Sequence, residues 1–155
     1  MFDILVYLFE SYIHANACPA SDQLARKLSA AGFEDEEINE ALDWLAGLRR
    51  VAAETHPCVA PSRSAVRLYS DYECTRLSAA CRGFLTFLEG AGVLDAVSRE
   101  LIVERAVALS NFTITLGRLK VIVLMVLWQR EQPVDTLIID ELLSSDDDEG
   151  APLLH

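Results

Sequence analysis

The chain has 155 residues, of which 52% are hydrophobic, and a formal net charge of −11. This length and apolar content suit one ordinary domain, or two small parts that share a core. With only 7 Gly and 5 Pro residues, the composition excludes fibrous and largely disordered classes.

Three helices are predicted in the first fifty residues. Apolar residues recur at helical spacing from Phe2 to about Ala15, again after Ser21, and then along a stretch that ends near Leu48. Gly32 separates the second helix from the third, because glycine readily takes the left-handed conformation that ends a helix. Two helices joined by so short a turn have the layout of a helix-turn-helix.

The third predicted helix has an acidic outer face formed by Glu36, Glu37, Glu40 and Asp43. In a helix-turn-helix protein that reads DNA, the outward positions of this helix are expected to carry Arg, Lys or Asn. Carboxylates would instead repel the phosphates of a nucleic acid. We therefore expect these four residues to bind a protein partner.

The helical pattern disappears between residues 51 and 69. Val51 to Glu54 and Ala65 to Tyr69 could form two short strands around a loop that contains Pro57. A small hairpin after a helix-turn-helix is typical of a winged-helix domain. An irregular linker is an equally good interpretation, because alternation over five residues is weak evidence for a strand.

Four arginines surround this segment and provide an alternative function. Arg49, Arg50, Arg63 and Arg67 would lie around the wing of a winged-helix protein, where they could contact phosphates of DNA or RNA. Against this alternative are the acidic third helix and the acidic end of the chain, where residues 140–155 hold six acidic residues and no Lys or Arg.

A helical bundle is predicted from residue 71 to residue 143. Ser70 and Glu73 fit a capping box that opens a long helical region reaching about Leu88. The run from Val121 to Trp128 is apolar nearly all round, which predicts the central helix of the bundle. The predicted division is therefore a helix-turn-helix or winged-helix-like part over 1–70, a bundle over 71–143 and a disordered acidic tail over 144–155.

The sequence offers little for catalysis or metal binding. His14, Cys18, His56 and Cys58 are a nominal zinc set, but Pro19 would fray the helix that carries the first pair. No phosphate-binding loop or nucleophile motif is present. No enzymatic activity, metal or cofactor is expected.

The expected location is the cytoplasm. The N-terminus has acidic residues within its apolar run and lacks the basic start of a signal peptide. The eight-residue apolar run that ends at Trp128 is shorter than the roughly 20 residues that cross a bilayer. The cysteines are then expected to be reduced.

Several separated segments resemble the bacterial Smg protein family. They are MFDILVYLFESYIH at the start, ECTRLSAACRGFLTFLE, LKVIVLMVLW and the closing Leu154-His155. The resemblance spans essentially the whole chain and implies a small cytosolic protein, but it brings no catalytic or ligand residues with it. The leading hypothesis is a non-enzymatic interaction protein that uses the acidic helix face and the tail. The sequence predicts neither the identity of the partner nor the oligomeric state.

Overall fold

The computed structural model describes residues 1–12, 20–54, 62, 64–109 and 113–144. These residues form eight helices and no strand, so the prediction of a mainly helical fold is confirmed. The helices are α1 (Phe2–Tyr12), α2 (Ser21–Ala30), α3 (Asp35–Ala53), α4 (Asp71–Arg76), α5 (Ala79–Gly90), α6 (Ala96–Val107), α7 (Leu116–Gln129) and α8 (Thr136–Leu143).

Helix α7 lies at the centre of the fold. It packs against α1, α5, α6 and α8, and every residue from Ile122 to Leu127 is buried. A helix that is apolar on all sides must be covered on all sides, which is why the pattern predicted this position. Among the described residues, the buried side chains form one continuous cluster that includes α1 and α3 as well as α7. The boundary at residues 70 and 71 stays a prediction, but the parts on either side of it share this core.

The turn between α2 and α3 is built as the sequence indicated. Gly32 has φ +98°, a left-handed conformation that side chains disfavour. The Phe33 amide donates a hydrogen bond to the Leu28 carbonyl at 3.2 Å, which closes the end of α2. Helix α3 then packs along α2 and α1.

The strand prediction for Val51 to Glu54 is wrong, because Val51 to Ala53 form the last turn of α3. Val51 lies three residues after the buried Leu48 and continues the same apolar stripe onto the core. The two alanines that follow favour a helix. Residues 65–69 form no strand either, although side-chain exposure alternates from Val66 to Tyr69. The predicted hairpin is therefore absent from the described residues; the rest of its loop, residues 55–61 and 63, lies outside them.

The long helical region predicted after Ser70 is divided into two helices. The capping box is present, since the Glu73 amide donates to Ser70 Oγ and the Ser70 amide donates to the Glu73 carboxylate. Helix α4 nevertheless ends before Leu77, which forms an isolated parallel bridge with Ile114. Ser78 caps the next helix by accepting a hydrogen bond from the Cys81 amide. This second cap marks the break between α4 and α5.

Candidate interaction surfaces

The acidic face predicted on α3 is exposed to solvent. Glu36, Glu40 and Asp43 lie at three- and four-residue spacing on the same side of the helix. Among the described residues, none of these three carboxylates has an ion-pair partner within 4.0 Å. Glu37 is exposed as well, and its Oε1 lies 3.8 Å from the amino nitrogen of Met1. The four predicted partner-binding residues therefore lie exposed on one helix, and one of them, Glu37, forms an ion pair with the N-terminal amino group.

The opposite face of α3 is held against the body of the protein by a buried arginine. The Arg105 guanidinium lies 5.4 Å from the ring centroid of Trp44, and its Nη2 donates to the Trp44 carbonyl at 3.4 Å. The indole of Trp44 donates in return to the Arg105 carbonyl at 3.4 Å. Only glycine at position 47 leaves room for this guanidinium. These contacts join α3 to α6 and fix which side of α3 faces water.

The four arginines of the predicted cluster differ in what the structure shows of them. Arg49 and Arg50 are exposed on α3, and Arg63 lies outside the described residues. Arg67 is tied to the protein by two carboxylates. Its Nη2 lies 2.7 Å from Glu73 Oε1, and its Nε lies 3.0 Å from Glu100 Oε1. A guanidinium held in this way is poorly available to a phosphate.

Arg67 is part of a charge network that joins three helices. Glu100 on α6 bridges Arg67 and Arg99, with 3.0 Å separating its Oε1 from the Nη2 of Arg99. Arg99 also donates to both oxygens of Glu89 on α5, at 2.6 and 2.9 Å. Together with Glu73 on α4, the network contains three carboxylates and two guanidinium groups. It therefore carries a net negative charge.

The network shifts the pKa values of its members. Hydrogen bonds from Arg67, aided by the Ser70 amide and opposed by burial, lower the pKa of Glu73 to about 2. Burial raises the pKa of Glu100, but the hydrogen bonds and charges of Arg67 and Arg99 outweigh it, so that pKa also lies below its usual range. Both carboxylates therefore remain ionised at neutral pH.

A groove opens beside this network, between the C-terminal turn of α3, the start of α4 and one side of α6. Its cavity volume is about 760 Å³. Its lining contains apolar side chains from α3, α4 and α6 together with four carboxylates. The apolar lining includes Val51, Tyr72, Val97, Leu101 and Val107, and the acidic lining consists of Glu54, Glu73, Glu100 and Glu104.

Sequence reasoning missed this groove because its walls come from distant parts of the chain. Val51 and Val107 are far apart in sequence, and no local motif predicts that α3 and α6 converge. The one usable signal was the capping box, which fixes Glu73 at the start of α4. Arg105 was missed for a related reason, since a single arginine on an amphipathic helix normally lies on the surface.

Comparison with known proteins places the chain in a family. A family model described as "Protein of unknown function (DUF494)" matches residues 1–151. A "Protein Smg homolog" from Aromatoleum aromaticum is 61% identical over 155 residues, covering all of both chains. The chain belongs to the Smg family. Another "Protein Smg homolog", from Bordetella pertussis, is 50% identical over 159 residues and is also covered completely. No solved structure matches the chain.

Two further properties of this Smg-family chain concern membranes and metals. None of the helices formed by the described residues has the length and apolar character needed to cross a bilayer. Within the same residues, no three His, Cys, Asp or Glu side chains are grouped so that they could hold a metal ion. His14, Cys18, His56 and Cys58, the nominal zinc set of the sequence, lie outside the described residues.

Proposed function

We propose that this Smg-family chain is a non-enzymatic, cytosolic interaction protein that binds a protein partner through the acidic face of α3. The observation that supports the proposal is the exposure of Glu36, Glu40 and Asp43 on one side of a helix whose other side is buried. A row of carboxylates on a rigid helix would attract a partner with a basic surface and orient it during encounter. Glu37, which neighbours the amino group of Met1, completes this face.

The acidic tail would act with α3 in this proposal. Residues 146–149 are all acidic, so they would extend the negative field around the protein and raise the rate of encounter with a basic partner. The nucleic-acid alternative has weaker support. It would depend on Arg49, Arg50 and Arg63 without Arg67, whose guanidinium is bound to Glu73 and Glu100.

The proposal is tested by charge reversal on α3. The triple variant Glu36→Lys, Glu40→Lys and Asp43→Lys should lose the partner that the wild-type chain captures from a bacterial lysate. All three side chains are exposed, so circular dichroism should show an unchanged helix content. Recovery of the same partner by this variant would contradict the proposal.

A matched control separates the α3 face from net charge. Glu10, Asp22 and Asp140 are exposed acidic residues on three other helices, and their replacement by lysine changes the net charge by the same amount. This control should capture the partner as the wild type does. Equal loss in both triple variants would mean that overall charge, not the α3 face, determines binding.

A further inference from the structure

The groove between α3, α4 and α6 combines two features that are suited to one kind of ligand. Its volume of about 760 Å³ falls within the roughly 300–1,000 Å³ that is typical of ligand pockets. Part of its apolar lining is open to water, since Val97 is 45% exposed and Tyr72 is 56% exposed. A ligand with apolar groups would therefore gain free energy by covering these side chains.

The charge around the groove determines which apolar ligand it would accept. Glu54 and Glu104 are exposed, and neither has an ion-pair partner among the described residues. Glu73 and Glu100 belong to a network with more carboxylates than guanidinium groups. Arg130 also lines the groove, but its Nη1 lies 3.0 Å from Asp95 Oδ1 and its charge is compensated. The potential in the groove is therefore negative.

We propose that this groove docks a basic amphipathic segment of a partner protein, with apolar side chains on Val97 and Leu101 and flanking lysines or arginines beside Glu54 and Glu104. Charge complementarity excludes the acidic residues 146–149 of this chain as the occupant, because carboxylates would be brought against carboxylates. The same repulsion excludes a nucleic acid. The groove is separate from the acidic face of α3, which lies on the N-terminal half of that helix.

The test uses synthetic peptides as probes. A fluorescein-labelled helical peptide of leucine and lysine, with its leucines on one face, is titrated with the full-length protein in a polarisation assay. It should bind, whereas a peptide of leucine and glutamate should not. A peptide of serine and lysine, and spermine as a small cation, should bind at least about tenfold more weakly, because neither can cover the apolar lining. Equal binding by spermine or by the serine peptide would overturn the proposal.

Paired variants locate the binding site on the protein. Glu54→Gln with Glu104→Gln should weaken binding of the leucine–lysine peptide by about three- to tenfold, as expected for the loss of two exposed ion pairs. Glu36→Gln with Glu40→Gln removes the same net charge from the α3 face and should change the affinity by less than about twofold. An equal effect of the two pairs would show non-specific attraction and overturn the proposal.

A second pair of variants tests the apolar part. Val97→Ser should weaken peptide binding, whereas Val66→Ser should not, since Val66 is 81% exposed and does not line the groove.

Amide chemical shifts measured with the labelled protein should change around Val51, Val97 and Leu101 when the peptide is added. Shift changes confined to α3 residues 36–43 would overturn this inference while leaving the proposed function standing. Conversely, undiminished capture of the partner by the triple α3 variant, together with peptide binding in the groove, would contradict the proposed function alone.

Discussion

The close contact between Gly47 and Arg105 predicts that Gly47→Ala lowers the free energy of unfolding when Arg105 is present and raises it when Arg105 is replaced. A Cβ atom at position 47 would lie 2.8 Å from Nη2, 2.9 Å from Nη1 and 3.0 Å from Cζ of Arg105. Nothing can be accommodated at these distances, so Gly47→Ala must displace the guanidinium. These atoms are the far end of the Arg105 side chain, so we expect the displacement to weaken its contacts with Trp44 and to leave the backbone in place.

The magnitude follows from two opposing contributions. Alanine is favoured over glycine in a helix interior by about 0.8–1.0 kcal/mol, which would stabilise α3. Against this gain, the buried guanidinium loses its contact with the Trp44 ring, which is worth about 0.5–2 kcal/mol, and its hydrogen bond to the Trp44 carbonyl, worth about 1 kcal/mol. We expect Gly47→Ala to lower the free energy of unfolding by about 1 kcal/mol, which corresponds to a decrease of about 3 °C in Tm.

Replacing the arginine should reverse this sign. In an Arg105→Met background there is no guanidinium to displace, so Gly47→Ala should raise the free energy of unfolding by about 1 kcal/mol. The difference between the two backgrounds is a coupling energy of about 2 kcal/mol. Urea unfolding of the four proteins, followed by far-UV circular dichroism, measures it. If Gly47→Ala stabilises both backgrounds equally, Arg105 does not pack against residue 47 and the reasoning is refuted.

Three further predictions concern stability at other positions. The pKa of Glu73 is about 2 in the folded protein, against an ordinary 4.5, so its stabilising effect is complete above about pH 4.5 and is lost as the pH falls towards 2. Glu73→Gln should therefore lower the free energy of unfolding by about 1–2 kcal/mol at pH 7 and by much less at pH 3. Urea unfolding at the two pH values measures this, and a decrease that does not depend on pH would contradict the prediction. Gly32→Ala should destabilise the protein by about 1 kcal/mol, because position 32 has a positive φ. Gly83→Ala should stabilise it, because position 83 is helical and has open space around it. Thermal unfolding measures both effects, and a shift of Tm in the same direction for both variants would contradict the prediction. Glu141→Gln should raise the rate of amide hydrogen exchange in α8 about two- to fivefold, because it weakens the 3.1 Å contact between residue 141 and Lys120. An unchanged exchange rate would contradict this prediction.

Local signals in the sequence predicted local structure well. The capping box of Ser70 and Glu73 and the left-handed Gly32 were identified correctly, because each depends on residues within a few positions of it. The central place of α7 was also predictable, since an apolar surface on every side of a helix leaves no side for water. The exposure of Glu36 and Glu40 followed from the helical period of the apolar residues of α3, such as Ile38, Ala41 and Leu45.

Features that depend on distant residues were not predictable. Arg67 was assigned to a basic surface, but its partner Glu100 is 33 positions away and lies on another helix. The strand predicted at Val51 was wrong because alternation over four residues competed with a helical stripe that extended from Leu48. The groove requires α3, α4 and α6 to meet, and the tertiary packing that brings them together leaves no periodic pattern in the sequence.

The packing of α1 on α7 has a practical consequence for dissecting this protein. The ring of Phe9 meets that of Trp128 edge to face, with 5.9 Å between centroids. A fragment that stops at residue 70 would present Phe9 and its apolar neighbours to water and would be prone to self-association. Binding partners should therefore be sought with the undivided polypeptide, and point substitutions are the appropriate tool for assigning an interaction to one end of it.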